Sequence, residues 1–302
     1  MSQKLMGNNF EFTIVDQSKE NADSKFAMAI NEISRIEALL STYRHDSVTN
    51  HINLMAGVAP VEVPREVYDL ISRSLKISEI TDGAFDITYG SIDKSLWNFD
   101  RSMKSLPDKE TARQGVKLIN YRNVILDSSK CTVMLKHKGM RIGFGGIGKG
   151  YAAEKARSLL KSTGVKAGII NASGDIATWG MRADGTPWTV GIAHPDVAGL
   201  PFSSLEVTES AVATSGNYEK YVIIDGKKYS HTINPKTGLP VSGIKSVTII
   251  CSNAEIADAL ATPVTIMGTK EGIELVNQLA GIECIIIDDN NKIHKSKNIK
   301  LR

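Results

Sequence analysis

Residues 141–156 read RIGFGGIGKGYAAEKA, in which five glycines surround Lys149 and a helix-forming sequence follows at once. Glycine tolerates positive φ and lets a ligand approach the backbone closely. A helix N-terminus also offers free N–H groups and a partial positive charge to an anion. The pattern therefore predicts a phosphate-binding loop, with a glycine-rich turn that serves only helix packing as the alternative.

Two nucleotide-binding motifs fit this loop only in part. The P-loop spacing G-x-x-x-x-G-K starts at Gly143, but Gly150 occupies the position where a Ser or Thr must bind Mg²⁺. The dinucleotide spacing G-x-G-x-x-G also starts at Gly143, but its acidic partner would have to be Asp175, which comes too late in the chain. The loop indicates a phosphate without identifying a nucleotide-binding family.

The composition is that of a globular protein. The chain has 302 residues, of which 42% are hydrophobic, and this fraction suffices for a hydrophobic core. Its net charge of +3 is small for this length and does not indicate nucleic-acid binding. Without a linker-like composition shift, we predict one domain over residues 1–302. No apolar run of about 18 residues or signal-peptide core is present. We expect Cys131, Cys251 and Cys284 to be buried thiols.

Hydrophobic periodicity predicts a mixed α+β fold. Apolar residues at helical spacing predict an amphipathic helix that ends near Tyr43. The predicted helices cover residues 25–43, 65–81, 151–164, 254–268 and 269–281. β-Branched alternation predicts strands at 167–171, 188–194, 210–216, 220–233, 246–252 and 283–295. Asp225-Gly226 signals a hairpin inside the fourth of these.

Asp258 and Thr262 lie four residues apart in ADALAT, and are therefore on one face of a predicted helix. A carboxylate and a hydroxyl are hard ligands that suit Mg²⁺ or Ca²⁺ better than zinc. The alternative is a solvated helix face or a local hydrogen bond.

Two further stretches are candidates for chemistry. His231 lies at the end of a predicted strand in YSHTINPKTGLPV, where a general base would be held by the sheet yet reach the surface. In TDGAFDITYG, Phe85 and Tyr89 line either a pocket for a planar ring or the core. A structural histidine remains the alternative for His231.

In this order, the motifs resemble the ApbE family of flavin transferases, over nearly the whole chain. The matching stretches are MGNNFEFTIV (6–15), LLSTYRHDSVTNHIN (39–53), GAFDITYG (83–90), GFGGIGKGYAAEKA (143–156), INASGDIATWG (170–180), TSGNYEKY (214–221), YSHTINPKTGLPV (229–241) and ADALAT (257–262). The resemblance implies a T-fold-type core, in which helices pack on an antiparallel sheet.

The resemblance also implies an activity, the transfer of FMN from FAD to a Thr or Ser hydroxyl of an acceptor protein, with release of AMP. The catalytic residues would be His231, as the base, and Lys149, which would also contact FAD. Mg²⁺ would be bound by the Gly146 carbonyl, Asp258 and Thr262. The remaining FAD-binding residues would be Met6, Tyr43, Ala84, Phe85, Asp86, Gly143, Thr232 and Ile233. An FAD pyrophosphatase and a non-catalytic FAD-binding protein are the alternatives.

Some positions depart from the family pattern. Gly143 stands where the family usually has Asp, which removes a carboxylate expected to contact FAD. Ala261 stands where some members have a second Asp, so we expect one Mg²⁺. The family commonly faces the outside of the bacterial inner membrane, often through a lipid anchor on an N-terminal cysteine that this chain lacks. We therefore expect a chain without its leader that acts at the periplasmic face of the cell envelope, with the cytoplasm as the alternative.

Overall fold

An eight-stranded antiparallel sheet organises the computed structural model, which describes residues 1–93, 95, 105–193, 201–216, 221–224 and 226–299. The strands are β1 (Ser2–Leu5), β2 (Asn8–Val15), β3 (Val61–Glu62), β4 (Val124–Asp127), β5 (Thr132–Leu135), β6 (Ala167–Ala172), β7 (Asp175–Trp179), β8 (Trp188–Ala193), β9 (Pro201–Val207), β10 (Ala211–Gly216), β11 (Tyr221–Ile224), β12 (Lys227–Ser230), β13 (Ile244–Cys251), β14 (Glu283–Asp288) and β15 (Ile293–Lys295). The order in the large sheet is β1-β2-β6-β7-β10-β13-β14-β15.

The helices form a layer on one face of this sheet. They are α1 (Lys19–Leu40), α2 (Val48–Leu54), α3 (Arg65–Ile80), α4 (Lys109–Gly115), α5 (Gly148–Ser162), α6 (Ala254–Met267) and α7 (Thr269–Val276). Helices α5 and α6 contact each other and the central strands β7 and β10, while α1 packs beside α5. The sheet, all of these helices except α4, and the smaller sheet β3-β5-β4 share one apolar core. The fold confirms the predicted mixed α+β class with helices packed on an antiparallel sheet.

Alternating side chains separate the two faces of the sheet. On β6, Ile170 and Ala172 belong to the core under the helices. Ala167 and Ile169 instead pack with Trp188 and other residues of the two-stranded β8-β9 sheet, on the opposite face. Since successive side chains of a strand point to opposite faces, both surfaces of the central sheet are covered.

All five predicted helices are present. Helix α6 matches its predicted range to within a residue, and α7 ends five residues before its predicted end. The first helix runs over Lys19–Leu40, because Ser18 caps its N-terminus by accepting from the Asn21 N–H, and the backbone becomes extended at Ser41. Its predicted end near Tyr43 is therefore wrong. Helix α3 matches its predicted range to within a residue. Helix α5 starts at Gly148, which places Lys149 in its first turn.

The predicted strand 220–233 is a hairpin that ends before His231. Strands β11 and β12 pair antiparallel around Gly226, whose φ is +74°. Asp225 and residues 217–220 lie outside the described residues, as does position 194 at the end of the predicted strand 188–194.

The three cysteines are free thiols. Cys251 and Cys284 are buried as predicted, but Cys131 is half-buried, because it occupies a turn between β4 and β5 with φ +51°. Among the described residues, the helices are all too short or too polar to cross a bilayer.

Candidate active site

Two cavities meet at the glycine loop. The larger has a volume of about 580 Å³ and the smaller about 290 Å³, and Gly143 and Gly145 line both. Predicted site residues at the larger cavity are Met6, Tyr43, Gly143 and Lys149. Those at the smaller are Ala84, Phe85, Asp86, Gly143, Gly146, His231, Thr232, Ile233 and Thr262. The fold thus brings together side chains from both ends of the sequence, and their roles remain predictions.

The glycine loop is held against the segment that carries Phe85. The Gly143 N–H donates to the Ile87 carbonyl at 3.0 Å. Gly146 packs against the Phe85 ring, whose Cε2 would lie 3.5 Å from a Cβ on Gly146. A Cβ on Gly145 would meet nothing within 4 Å. Crowding therefore does not require glycine at position 145, and the space beside it is open to a ligand.

The first turn of α5 differs from the expected row of free amides. The Gly148 N–H donates to the Phe144 carbonyl at 2.6 Å, and the Gly150 N–H donates to Asp258 Oδ2 at 2.9 Å. The predicted row of free N–H groups is therefore wrong at these two positions, because the protein already uses both amides. The Lys149 side chain carries a positive charge in the same turn.

Close packing of α5 on α6 explains why glycine follows the lysine. A Cβ on Gly150 would lie 2.1 Å from the Ala254 carbonyl oxygen and 2.6 Å from Asp258 Cβ. A larger residue would separate the two helices and break the hydrogen bond to Asp258. Glycine is therefore required at position 150 by the packing of α5 on α6, and it does not replace the Ser or Thr of a P-loop.

Lys149 lies between two buried carboxylates. Its Nζ is 2.7 Å from Asp175 Oδ2 and 3.6 Å from Asp258 Oδ1. Burial opposes the charged lysine, but attraction to Asp258 and Asp175 raises the pKa of Lys149 above its ordinary value. Burial, followed by repulsion from Asp258, raises the pKa of Asp175. At neutral pH the Lys149 ammonium stays charged, and the Lys149 side chain forms part of the wall of the larger cavity.

Sequence reasoning assigned no role to Asp175. Asp175 lies too far along the chain from the glycine loop for a dinucleotide-binding fold. The motif around it supports only the family resemblance. The available signal was an acidic residue directly after the turn Ser173-Gly174, at the start of an otherwise apolar strand. Only the packing of α5 on β7 shows that this strand begins beside Lys149.

His231 lies on a well-supported loop. The Ser230 N–H donates to the Val241 carbonyl at 3.0 Å, which closes the loop directly before His231. At its far end, Gly238 packs so closely that a Cβ would lie 1.9 Å from the Ala112 carbonyl oxygen. His231 itself is exposed and lines the smaller cavity. A rigid base with solvent access suits proton removal from a second, incoming molecule.

Asp86 borders the smaller cavity, but its carboxylate has structural partners. Oδ1 accepts from the Thr88 N–H at 2.8 Å and the Thr88 hydroxyl at 2.6 Å, and Oδ2 accepts from the Tyr121 N–H at 2.9 Å. Burial raises the pKa of Asp86, against the effect of these hydrogen bonds. The carboxylate therefore fixes the wall that presents Ala84 and Phe85.

Met6 and Tyr43 come to the larger cavity from separate elements. Met6 (φ +50°) and Gly7 (φ +74°) form the two-residue turn between β1 and β2, and the Met6 N–H donates to Glu37 Oε2 at 2.9 Å. Tyr43 follows α1 and is 90% exposed. Its ring is available at the cavity rim to cover a bound ring system.

The oxygens that could bind a divalent cation are close to this cluster. Asp258 and Thr262 lie one turn apart on α6, and Thr262 shares the smaller cavity with Gly146. Across the described ranges, no group of three or more His, Cys, Asp or Glu side chains could hold a metal. A site here would contain at most two such side chains, so Asp258 would be joined mainly by neutral oxygens. That donor set fits Mg²⁺, which takes few protein ligands and completes its shell with water and phosphate oxygens.

Comparisons with known proteins show the family of the chain. A sequence model described as the ApbE family matches residues 6–286. A Klebsiella pneumoniae protein named FAD:protein FMN transferase is 32% identical over 100% of this chain and 92% of its own length. A Treponema pallidum protein of the same name is 31% identical over 87% and 76%. The crystal structure of an ApbE protein from Thermotoga maritima, 32% identical, superposes with a TM-score of 0.87 over 98% of this chain and 96% of that one.

Proposed function

Because the chain belongs to the ApbE family, we propose that it is an FAD:protein FMN transferase, like the relatives it resembles over its full length. The observation that carries the proposal is the position of Lys149. Its side chain lines the larger cavity, and Gly143 and Gly145 of the same loop also line the smaller cavity, which contains His231. A cation beside a loop shared by two cavities suits a dinucleotide whose pyrophosphate lies along that loop.

The chain's own groups would bind and orient FAD. Lys149 attracts the pyrophosphate, and the open face of Gly145 lets it approach the backbone. The ring systems of FAD would pack on aromatic side chains. Phe85, which contacts Gly146, provides such a surface in the smaller cavity, and the exposed ring of Tyr43 provides one in the larger cavity.

Asp258, the Thr262 hydroxyl and the Gly146 carbonyl would hold one Mg²⁺. When bound, the ion supplies positive charge that stabilises the pyrophosphate as its bond to AMP breaks. Asp258 Oδ2 is already occupied by the Gly150 N–H, so Oδ1 is the oxygen available to the cation. Ala261 contributes no carboxylate, which supports a single metal.

His231 would act as the general base. It removes the proton from a Thr or Ser hydroxyl of the acceptor protein as that oxygen forms a bond to the FMN phosphorus. The phosphoanhydride bond breaks, AMP leaves, and FMN remains on the acceptor through a phosphoester. Attack by water at the same phosphorus would instead give free FMN and AMP.

The experiment that tests the proposal separates three outcomes. The protein is incubated with FAD and Mg²⁺, with and without candidate acceptor proteins, and the products are followed by chromatography and intact mass. A transferase adds one FMN to an acceptor, a pyrophosphatase gives free FMN even without acceptor, and a binding protein returns FAD unchanged. We expect the first outcome, with AMP released in equal amount.

From the family resemblance we also propose that the reaction takes place in the bacterial cell envelope, at the periplasmic face of the inner membrane, with the cytoplasm as the alternative. Fractionation of cells that express the complete gene, followed by detection of the protein in each fraction, tests this. Its recovery only in the cytoplasm would exclude the envelope.

A further inference from the structure

A buried carboxylate that the proposed mechanism does not use lies beside Lys149. Asp175 starts β7 directly after the tight turn Ser173-Gly174, whose φ angles are +53° and +99°. Its side chain is about 6% exposed. It shares the helix-facing side of β7 with Ala177 and Trp179, which are fully buried in the apolar core. A carboxylate is costly at such a place unless it has a partner.

Its partner is Lys149. The Lys149 ammonium lies 2.7 Å from Asp175 Oδ2 and forms an ion pair with it. Among the described residues, no group donates a hydrogen bond of normal geometry to this oxygen. The same ammonium is 3.6 Å from Asp258 Oδ1, which exceeds an ordinary hydrogen-bond length. Lys149 is therefore drawn toward β7 and away from α6.

The position of Lys149 affects the oxygen of Asp258 that has no backbone donor. Oδ2 accepts from the Gly150 N–H at 2.9 Å, so Oδ1 is the oxygen that faces the ammonium. If Lys149 moved closer by less than an ångström, it would bond to Oδ1 and compete with a cation there. The charges agree with this view when both carboxylates are ionised, because one ammonium between them then leaves a net negative charge for a cation to balance.

We propose that Asp175 is a positioning residue, which holds the Lys149 ammonium off Asp258 Oδ1 and so keeps that oxygen available to a divalent cation. The inference rests on the proposed function, since it assigns Asp258 to the metal. In addition, it assigns to Asp175, on β7, the role of keeping the Lys149 ammonium and the cation apart.

The test measures Mg²⁺ affinity rather than turnover. Mg²⁺ alone is titrated into the FAD-free protein, and the rise in Tm gives an apparent Kd. For Asp175→Asn, which keeps the size of the side chain but removes its charge, we expect the Kd to rise about 10- to 100-fold, the usual effect of losing a group that orients a metal ligand.

A double-mutant cycle distinguishes positioning from a general charge or folding effect. In a Lys149→Met background there is no ammonium to hold, so Asp175→Asn should raise the Kd by less than about 3-fold, leaving a coupling between the two sites. An equal effect of Asp175→Asn in both backgrounds would overturn the proposal, as would an unchanged Kd in the single variant.

Glu255→Gln is the matched control. Glu255 is also a buried carboxylate, on the same helix as Asp258, and is paired with Arg73 through contacts of 2.6 and 2.9 Å. Its loss should lower Tm without changing Mg²⁺ affinity. If the cycle behaves as expected but no acceptor gains FMN, the proposed function fails while the positioning role stands. A wild-type protein that does not respond to Mg²⁺ overturns the positioning role itself.

Discussion

Gly150 and Asp258 join two helices at the candidate site, through a 2.9 Å hydrogen bond from the Gly150 N–H to Asp258 Oδ2. The contact leaves no space for a side chain on Gly150. One residue pair therefore fixes both the approach of α5 to α6 and the orientation of the carboxylate proposed to bind metal.

Gly150→Ala should destabilise the protein, although alanine is the better helix former by about 1 kcal/mol. The added Cβ would lie 2.1 Å from the Ala254 carbonyl oxygen, so the helices must move apart. We expect a net loss of about 1–3 kcal/mol, as for other overpacked sites, measured by denaturant unfolding. Gly145→Ala is the control, since its Cβ meets nothing within 4 Å. Equal stability of the two variants would contradict the packing argument.

His231→Ala should separate binding from chemistry. His231 lines the smaller cavity on a loop closed by backbone hydrogen bonds, so its loss should leave FAD affinity nearly unchanged. FMN transfer should fall by about 10²- to 10⁴-fold, the usual contribution of a general base. His51→Ala, which changes an exposed histidine on α2, controls for nonspecific effects. Transfer at the wild-type rate would assign the base to another group.

Gly143→Asp should restore the carboxylate that the family usually has at this position. A Cβ there would meet only Thr42 Cγ2, at an ordinary distance of 3.5 Å, so the variant should fold normally. One added hydrogen bond of about 0.5–1.5 kcal/mol would tighten FAD binding by about 2- to 10-fold, measured by quenching of flavin fluorescence. Gly145→Asp is the comparison on the same loop, because its carboxylate would stand in the space proposed for the pyrophosphate and should weaken FAD binding. Weaker or unchanged binding in Gly143→Asp alone would show that the ligand's pose differs.

Asp175 should make the stability of the metal-free protein depend on pH. Burial and repulsion from Asp258 raise its pKa to about 7, against attraction from Lys149. The folded state therefore holds a proton that the unfolded state has released, and stability falls as pH rises from the ordinary aspartate range through about 7. Asp175→Asn removes this dependence, so its Tm relative to wild type should increase between about pH 5 and pH 8 in EDTA. A constant difference would exclude the shift.

Local signals predicted much of the fold. The apolar spacing of α1 and the β-branched runs of β13 and β14 identified these elements. The start of α1 was missed because its first turns are polar and only the Ser18 cap marks them. The hairpin in 220–233 was predicted from Asp225-Gly226, but its second strand ends at Ser230 rather than at Ile233, since periodicity alone does not set the ends of a hairpin's strands.

Local sequence could predict the parts of the site but not their contacts. Asp258 and Thr262 are related by helix geometry, and the glycine loop by its composition. The ion pair of Lys149 with Asp175 and the capture of the Gly150 N–H by Asp258 depend on how α5 packs on β7 and α6. Such long-range contacts leave no periodic trace in a single sequence.

The most direct test of the site is AMP release from FAD as a function of Mg²⁺ concentration, because AMP appears whether a protein hydroxyl or water attacks. It is measured for wild type, Asp258→Ala and Thr262→Ala, with the folded state of each checked by thermal melting. Asp258 supplies the only formal negative charge among the proposed ligands, whereas water can replace the Thr262 hydroxyl. We expect a saturable Mg²⁺ response in wild type, a weakened one in Thr262→Ala and none in Asp258→Ala. A folded Asp258→Ala protein with the wild-type Mg²⁺ response would contradict the account.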